Sequence, residues 1–224
     1  MKRYTYFGIA VAAAIGIITS SHAQERFDYQ VREDMFRAFA GNEAAFRSAM
    51  ATIEEKLREH PDHAEALVWR GGARTWMAGR ALEAGDPAGA KAMAAEGRVD
   101  MDRALALEPN NIGVLVPRAA VLLAVARNQR DATRSRELAG HAAANFETAL
   151  ALRRNAFDHL GQHNRGEYLS GLAESWALAG KEDTAERYLR RILAEVPNSA
   201  YSERAAAKLA NWADRRPLNC QSCH

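Results

Sequence analysis

From Leu169 to Ser199 the chain reads LSGLAESWALAGKEDTAERYLRRILAEVPNS, two helical packing patterns set back to back. Leu169, Leu172, Ala173 and Trp176 recur at helical spacing and form one apolar face, and Ala185, Leu189 and Ile192 form a second. Gly180 breaks the chain between them, and Pro197 closes the unit because proline cannot continue a helix. One helical pair cannot bury both of its faces, so a unit of this kind needs neighbours that repeat it and share a continuous core.

Such neighbours are present upstream. Ala49, Ile53 and Pro61 mark one second helix, and Met101, Ala104 and Pro109 mark another. Leu115, Ala119 and Leu122 open a third pair that Ala142, Phe146 and Ala149 close, with Arg154 where the proline would stand. This spacing resembles the tetratricopeptide (TPR) repeat over roughly residues 30 to 197. The resemblance implies an all-α fold, a TPR-like antiparallel helix-pair solenoid. An apolar set dominated by alanine, with few β-branched and aromatic residues, agrees with closely packed helices and little or no strand. The closing positions 61, 109, 154 and 197 lie 48, 45 and 43 apart, against a family period of about 34. Lengthened helices or inserted loops are therefore expected, and Gly79 to Gly97, with Asp86-Pro87, reads as a loop entering a long second helix. Residues 199 to 214 are predicted to form a helix covering the exposed end, with Ser199 as its cap, Leu209 and Trp212 on one side, and Arg215-Arg216-Pro217 as its stop.

The first residues follow a different logic. Lys2 and Arg3 precede an apolar run of 12 residues from Phe7 to Ile18, and small residues stand at Ser21 and Ala23. That order predicts a cleavable secretory signal peptide, because the run is too short to span a bilayer comfortably as a helix. The mature chain is expected to begin at Gln24 in the periplasm, with no membrane span. Removing the leader leaves 28 basic against 28 acidic residues, so neither a nucleic-acid footprint nor a polybasic membrane patch is expected.

The residues that carry chemistry come last: Cys220-Gln221-Ser222-Cys223-His224, containing the only two cysteines of the sequence. This CxxCH pentapeptide resembles the attachment motif of c-type cytochromes. Two thiols at this spacing can add across the two vinyl groups of one haem, and the adjacent imidazole can reach the iron. Cys220, Cys223 and His224 are thus the expected cofactor-binding residues for one covalent haem c, with His224 as the metal ligand. Other readings of the same residues are a short disulfide, a zinc site that would need further ligands, and a redox-active thiol pair. Because the motif stands at the last five residues, a pocket for the haem is expected from upstream helices or from another molecule. Candidates for a sixth ligand are His60, His63, His141, His159 and His163 and methionines 35, 50, 77, 93 and 101, with His159 and His163 nearest if the tail folds back. A water-bound or open iron is the alternative.

The family resemblance also implies a concave face built by first helices. Its register places Ala66, Trp69, Ala73, Trp76 and Met77 there in the second unit, and Val116, Ala120 and Leu123 in the third, a groove suited to a protein partner. A slip of one residue would make Trp69 and Trp76 core residues instead, and both registers stay open. The sequence thus divides into a signal peptide at 1–23, a helical repeat domain at 24–214 and a haem-attachment tail at 215–224. Its expected role is electron transfer or haem presentation to a docked protein. The alternatives are a haem-free periplasmic interaction scaffold and a ligand-binding or peroxidase-like haem protein. No Ser-His-Asp set, HExxH or phosphate loop points to another enzyme class.

Overall fold

The computed structural model describes residues 26–214 and 216–218, and among them it contains nine α-helices and no strand. In chain order these are α1 (Asp28–Phe39), α2 (Glu43–Glu59), α3 (Ala64–Glu83), α4 (Pro87–Leu107), α5 (Ile112–Asn128), α6 (Ala132–Leu152), α7 (Gln162–Leu178), α8 (Glu182–Glu195) and α9 (Ala200–Ala210), with a 3-10 turn at Phe157–His159 before α7. They pack as four successive pairs, α1/α2 to α7/α8, and α9 covers the last pair. The leader predicted at residues 1–23 lies outside the described residues.

Local chemistry explains where six of the nine described helices begin. Asn42, His63, Asp86, Asn111, Asp131 and Ser199 each stand before a helix and accept a main-chain N–H from its first turn. The two kinds of connection also differ. Within three of the pairs the turn is made by a glycine with positive φ, Gly41, Gly85 and Gly180, a backbone shape that costs other residues more. Between pairs, Pro61, Pro109 and Pro197 follow α2, α4 and α8, where the sequence pattern places its stops.

The extra length lies in the helices. Gly79 to Gly97 is not an inserted loop: α3 runs 20 residues to Glu83 and α4 starts at Pro87 for 21, leaving only Ala84 to Asp86 as connector. Asp86 caps α4 and Pro87 fills its first turn, where a missing N–H costs nothing. The glycines that weaken helix propensity serve packing here. A Cβ on Gly71 would lie 2.6 Å from the carbonyl oxygen of Gly97, and one on Gly97 would lie 2.6 Å from that of Gly71, so the two backbones touch where α3 crosses α4. Around the crossing, Arg70 reaches Asp100 while Arg74 reaches both Asp100 and Glu96, a descending order that makes the pair antiparallel.

Two apolar cores result. The first joins α1 to α4 through Val31, Met35, Ile53, Leu67, Trp69 and Met101, and Val114 of α5 completes it. The second runs from α5 to α9 through Leu115, Phe146, Leu169, Leu172, Leu189 and Ile192. Each fully buried aliphatic side chain of this size contributes about 1.5–3 kcal/mol. Leu105 packs against both cores, so the pairs share one continuous interior. No described helix is long and apolar enough to cross a membrane.

Candidate functional site

The chemistry-bearing tail leaves the scaffold through a short series of fixed contacts. Ser199 opens α9 with a capping box whose second member is Ser202, and Tyr201 and Ala205 face inward. The helix ends at Ala210, earlier than the predicted 214, because Asn211 adopts an extended conformation. The chain past it is held nonetheless. Lys208 Nζ donates to the carbonyls of Trp212 and Asp214, both at 2.7 Å, and lies 5.6 Å from the centre of the Trp212 ring. Asp214 accepts the N–H of Arg216 at 2.9 Å and pairs with its guanidinium, and these hydrogen bonds pull its carboxyl down to about 2.

Leu218 then turns inward and is 3% exposed, part of the α5 to α9 core. Its N–H donates to Glu174 Oε2 at 3.1 Å. Glu174 is itself buried on α7, and Arg127 from the last turn of α5 grips it with a two-pronged contact, Nε at 2.5 Å and Nη2 at 2.7 Å. A buried carboxylate needs such compensation, and a guanidinium fork supplies both charge and direction. Here the main-chain N–H of the tail joins that pair.

Cys220, Cys223 and His224 lie outside the described residues. The sequence gives no sign of this anchor. Arg127 and Glu174 are 47 residues apart, and Glu174 reads as one polar position on an amphipathic helix.

The candidate sixth ligands are spread over the scaffold. His163 Nδ1 is 2.9 Å from Tyr201 Oη, whose hydrogen goes to Glu167 Oε1 at 2.5 Å, so this imidazole belongs to a side-chain network joining α7 and α9. It precedes Glu174 by 11 residues in α7, roughly 16 Å along the axis. His159 and His141 are exposed, His60 follows α2, and His63 caps α3 through its Nδ1. The five methionines all belong to the first four helices, with Met35 and Met101 in the first core. None of these side chains is brought to Leu218 by a described contact. Among the described residues there is no group of three or more His, Cys, Asp or Glu arranged to hold a metal ion.

The predicted groove divides. Ala66, Trp69 and Ala73 are core residues, with Trp69 edge-on to Phe36, so the slipped register applies to them. Leu123 is buried as well, while Val116 is half-buried and Ala120 exposed. Trp76 and Met77 do reach a concavity of about 250 Å³, which Phe46, Arg47, Glu43 and Arg80 complete. Trp76 packs against Phe39 and Phe46, and Arg80 lies over its ring at 5.2 Å. No protein-family model, curated protein or solved structure matches this chain.

Proposed function

We propose that this chain is an exported TPR-like helical repeat protein that carries one covalent haem c on Cys220 and Cys223, with His224 as iron ligand, and passes electrons or presents the haem to a docked protein. The reading rests on one observation, the pentapeptide Cys220-Gln221-Ser222-Cys223-His224, whose spacing and donor set match what haem attachment requires. The predicted leader supports it by directing the chain to the periplasm, where such attachment takes place. The donor set fits the group: two thiols for two vinyl carbons, and one imidazole nitrogen for iron.

When bound, the haem supplies one-electron exchange at its iron. The chain's own residues do the rest. Cys220 and Cys223 fix the orientation of the group, and His224 donates its nitrogen lone pair. Arg127, Glu174 and Leu218 hold the segment that leads to them. The concavity at Trp76 and Met77 is the part of the proposed groove that offers apolar surface to a protein partner.

Production with the cytochrome c maturation machinery tests the reading directly. Mass spectrometry is expected to find one haem per chain, held through a denaturing separation, and the visible spectrum is expected to show the sharp reduced bands of a c-type haem. A chain without haem, its two cysteines joined to each other, would leave the haem-free interaction scaffold as the reading to pursue.

A further inference from the structure

We infer that the concavity where α2 begins and α3 ends takes one bulky apolar side chain and a neighbouring carboxylate from the docked protein, so that the partner's contact segment is acidic around an apolar anchor. This rests on the reading that a protein docks on the repeat domain, and it names the chemistry of that contact. The walls are apolar. Phe46 of α2 and Phe39 of α1 pack against the Trp76 ring, with 5.3 and 5.6 Å between ring centres, and Met77 follows on α3. Phe39 is itself 39% exposed, so the aromatic surface continues past the concavity. The volume of about 250 Å³ falls short of the roughly 300–1,000 Å³ typical of a small-molecule pocket. A single anchoring side chain matches that space where a whole metabolite does not.

Charge at the rim decides the sign of the partner. Arg47 and Arg80 stand there against Glu43 alone. Arg47 lies 3.9 Å from Glu43 with side chains 72% and 71% exposed, and a pair so open to water holds its arginine only weakly. Among the described residues no carboxylate pairs with Arg80, whose guanidinium lies over the Trp76 ring at 5.2 Å from its centre. Clusters of aromatic rings also attract cations. Here the Trp76 face already holds one, and a second would meet the like charge of both arginines. An anion meets the opposite condition, because stacking on a ring consumes none of the guanidinium N–H donors and leaves them for a carboxylate. Tryptophan and arginine are also the residue types that most often carry the binding energy of a protein contact.

Three blocked tripeptides, Asp-Phe-Asp, Asn-Phe-Asn and Lys-Phe-Lys, serve as probes of the full chain, and the NMR signal of the Met77 methyl group reports the site. The acidic probe is expected to shift that signal with a Kd about threefold or more below that of the neutral one, and the lysine probe is expected to leave it in place. Raised salt should bring the acidic and neutral probes to the same Kd, and so should Arg47→Gln combined with Arg80→Gln. Both arginines are exposed, so that double variant keeps the fold. Trp76→Ala should abolish the response to every probe; should it fail to fold, the double arginine variant carries the test. Equal Kd values for the acidic and neutral probes, or a preference for the lysine probe, would overturn the acidic partner. A Met77 signal that no probe moves would overturn the site itself. 3-Phenylpropionate binding as tightly as the acidic tripeptide would assign the concavity to a free small acid and overturn the protein partner. Chain matured with haem and chain carrying Cys220→Ser and Cys223→Ser should respond alike. A parent without haem that still prefers the acidic probe would overturn the haem and leave this inference standing.

Discussion

Asp100 and Glu174 are both buried carboxylates held by arginine, yet they secure different things. Asp100 lies on α4 and receives Arg70 and Arg74 from α3, its partner in the pair, with Arg70 also touching Glu54 of α2. Every member of that network belongs to a helix. Glu174 receives one arginine from α5, and its remaining donor is the main chain of the tail. Removal of Asp100 takes away the acceptor that Arg70 and Arg74 share and leaves them only Glu54 and Glu96, whereas removal of Glu174 takes from the Leu218 N–H its acceptor. The same chemistry therefore serves cohesion in the first half and attachment in the second.

The largest effect is expected at Asp100→Ala. Losing one partner of a buried ion pair costs about 3–5 kcal/mol when the other is left uncompensated; Arg70 and Arg74 keep Glu54 and Glu96, so chemical denaturation should read about 3 kcal/mol, with α3 and α4 the first region to exchange amide hydrogens. A smaller loss is expected at Glu174→Ala, roughly 1–3 kcal/mol for a buried donor left without its acceptor, because Glu174 takes one arginine where Asp100 takes two; helicity should be retained. Equal losses at the two sites would erase the distinction between them.

Acid should separate the regions further. Burial holds the imidazole of His63 below its usual range, and its neutral Nδ1 accepts the N–H of Ala66 to cap α3. A lowered folded pKa means that the unfolded chain binds the proton first, so this stabilisation is present above pH 6.5 and is lost as the pH falls below it. At the tail, Asp214 is lowered to about 2 by Arg216, so the turn before Leu218 keeps its charge pair until far more acid conditions. Melting followed from pH 7 to 4 should therefore weaken α3 while leaving the Asp214 turn in place. His63→Asn, which keeps a capping oxygen without a titrating ring, should flatten that dependence. The smallest structural effects are expected from Cys220→Ser, Cys223→Ser and His224→Ala. Thermal midpoint and helicity should be unchanged, while the cysteine variants keep one thioether at most and the histidine variant alters the visible bands.

Helix pairing was legible because it is a local property. Leu172, Ala173, Leu189 and Ile192, read from their spacing alone, are all fully buried. Gly180 turns with φ of 76°, and Ser199 caps α9, as their residue types suggest. What spacing could not convey was which helices meet at long range. Gly97 reads as a helix breaker until Gly71 is known to face it, and Trp69 and Trp76 share one stripe although only the first enters the core. The end of the molecule was the least legible. Leu218 follows an arginine, a proline and a predicted helix stop, a pattern that reads as free tail, and its burial depends on a carboxylate 44 residues earlier.

Where α3 crosses α4, evolution has almost no room to move. Each glycine faces a carbonyl oxygen of the other helix at 2.6 Å from where a methyl would stand, so even alanine at either position must force the backbones apart. No second-site change can relieve the strain by shrinking the opposing residue, since that residue is already glycine. Insertions and substitutions in descendants of this chain are thus expected to gather at the connectors and at the other pairs, while the second pair drifts most slowly and serves as the fixed mark from which distances along the array are counted.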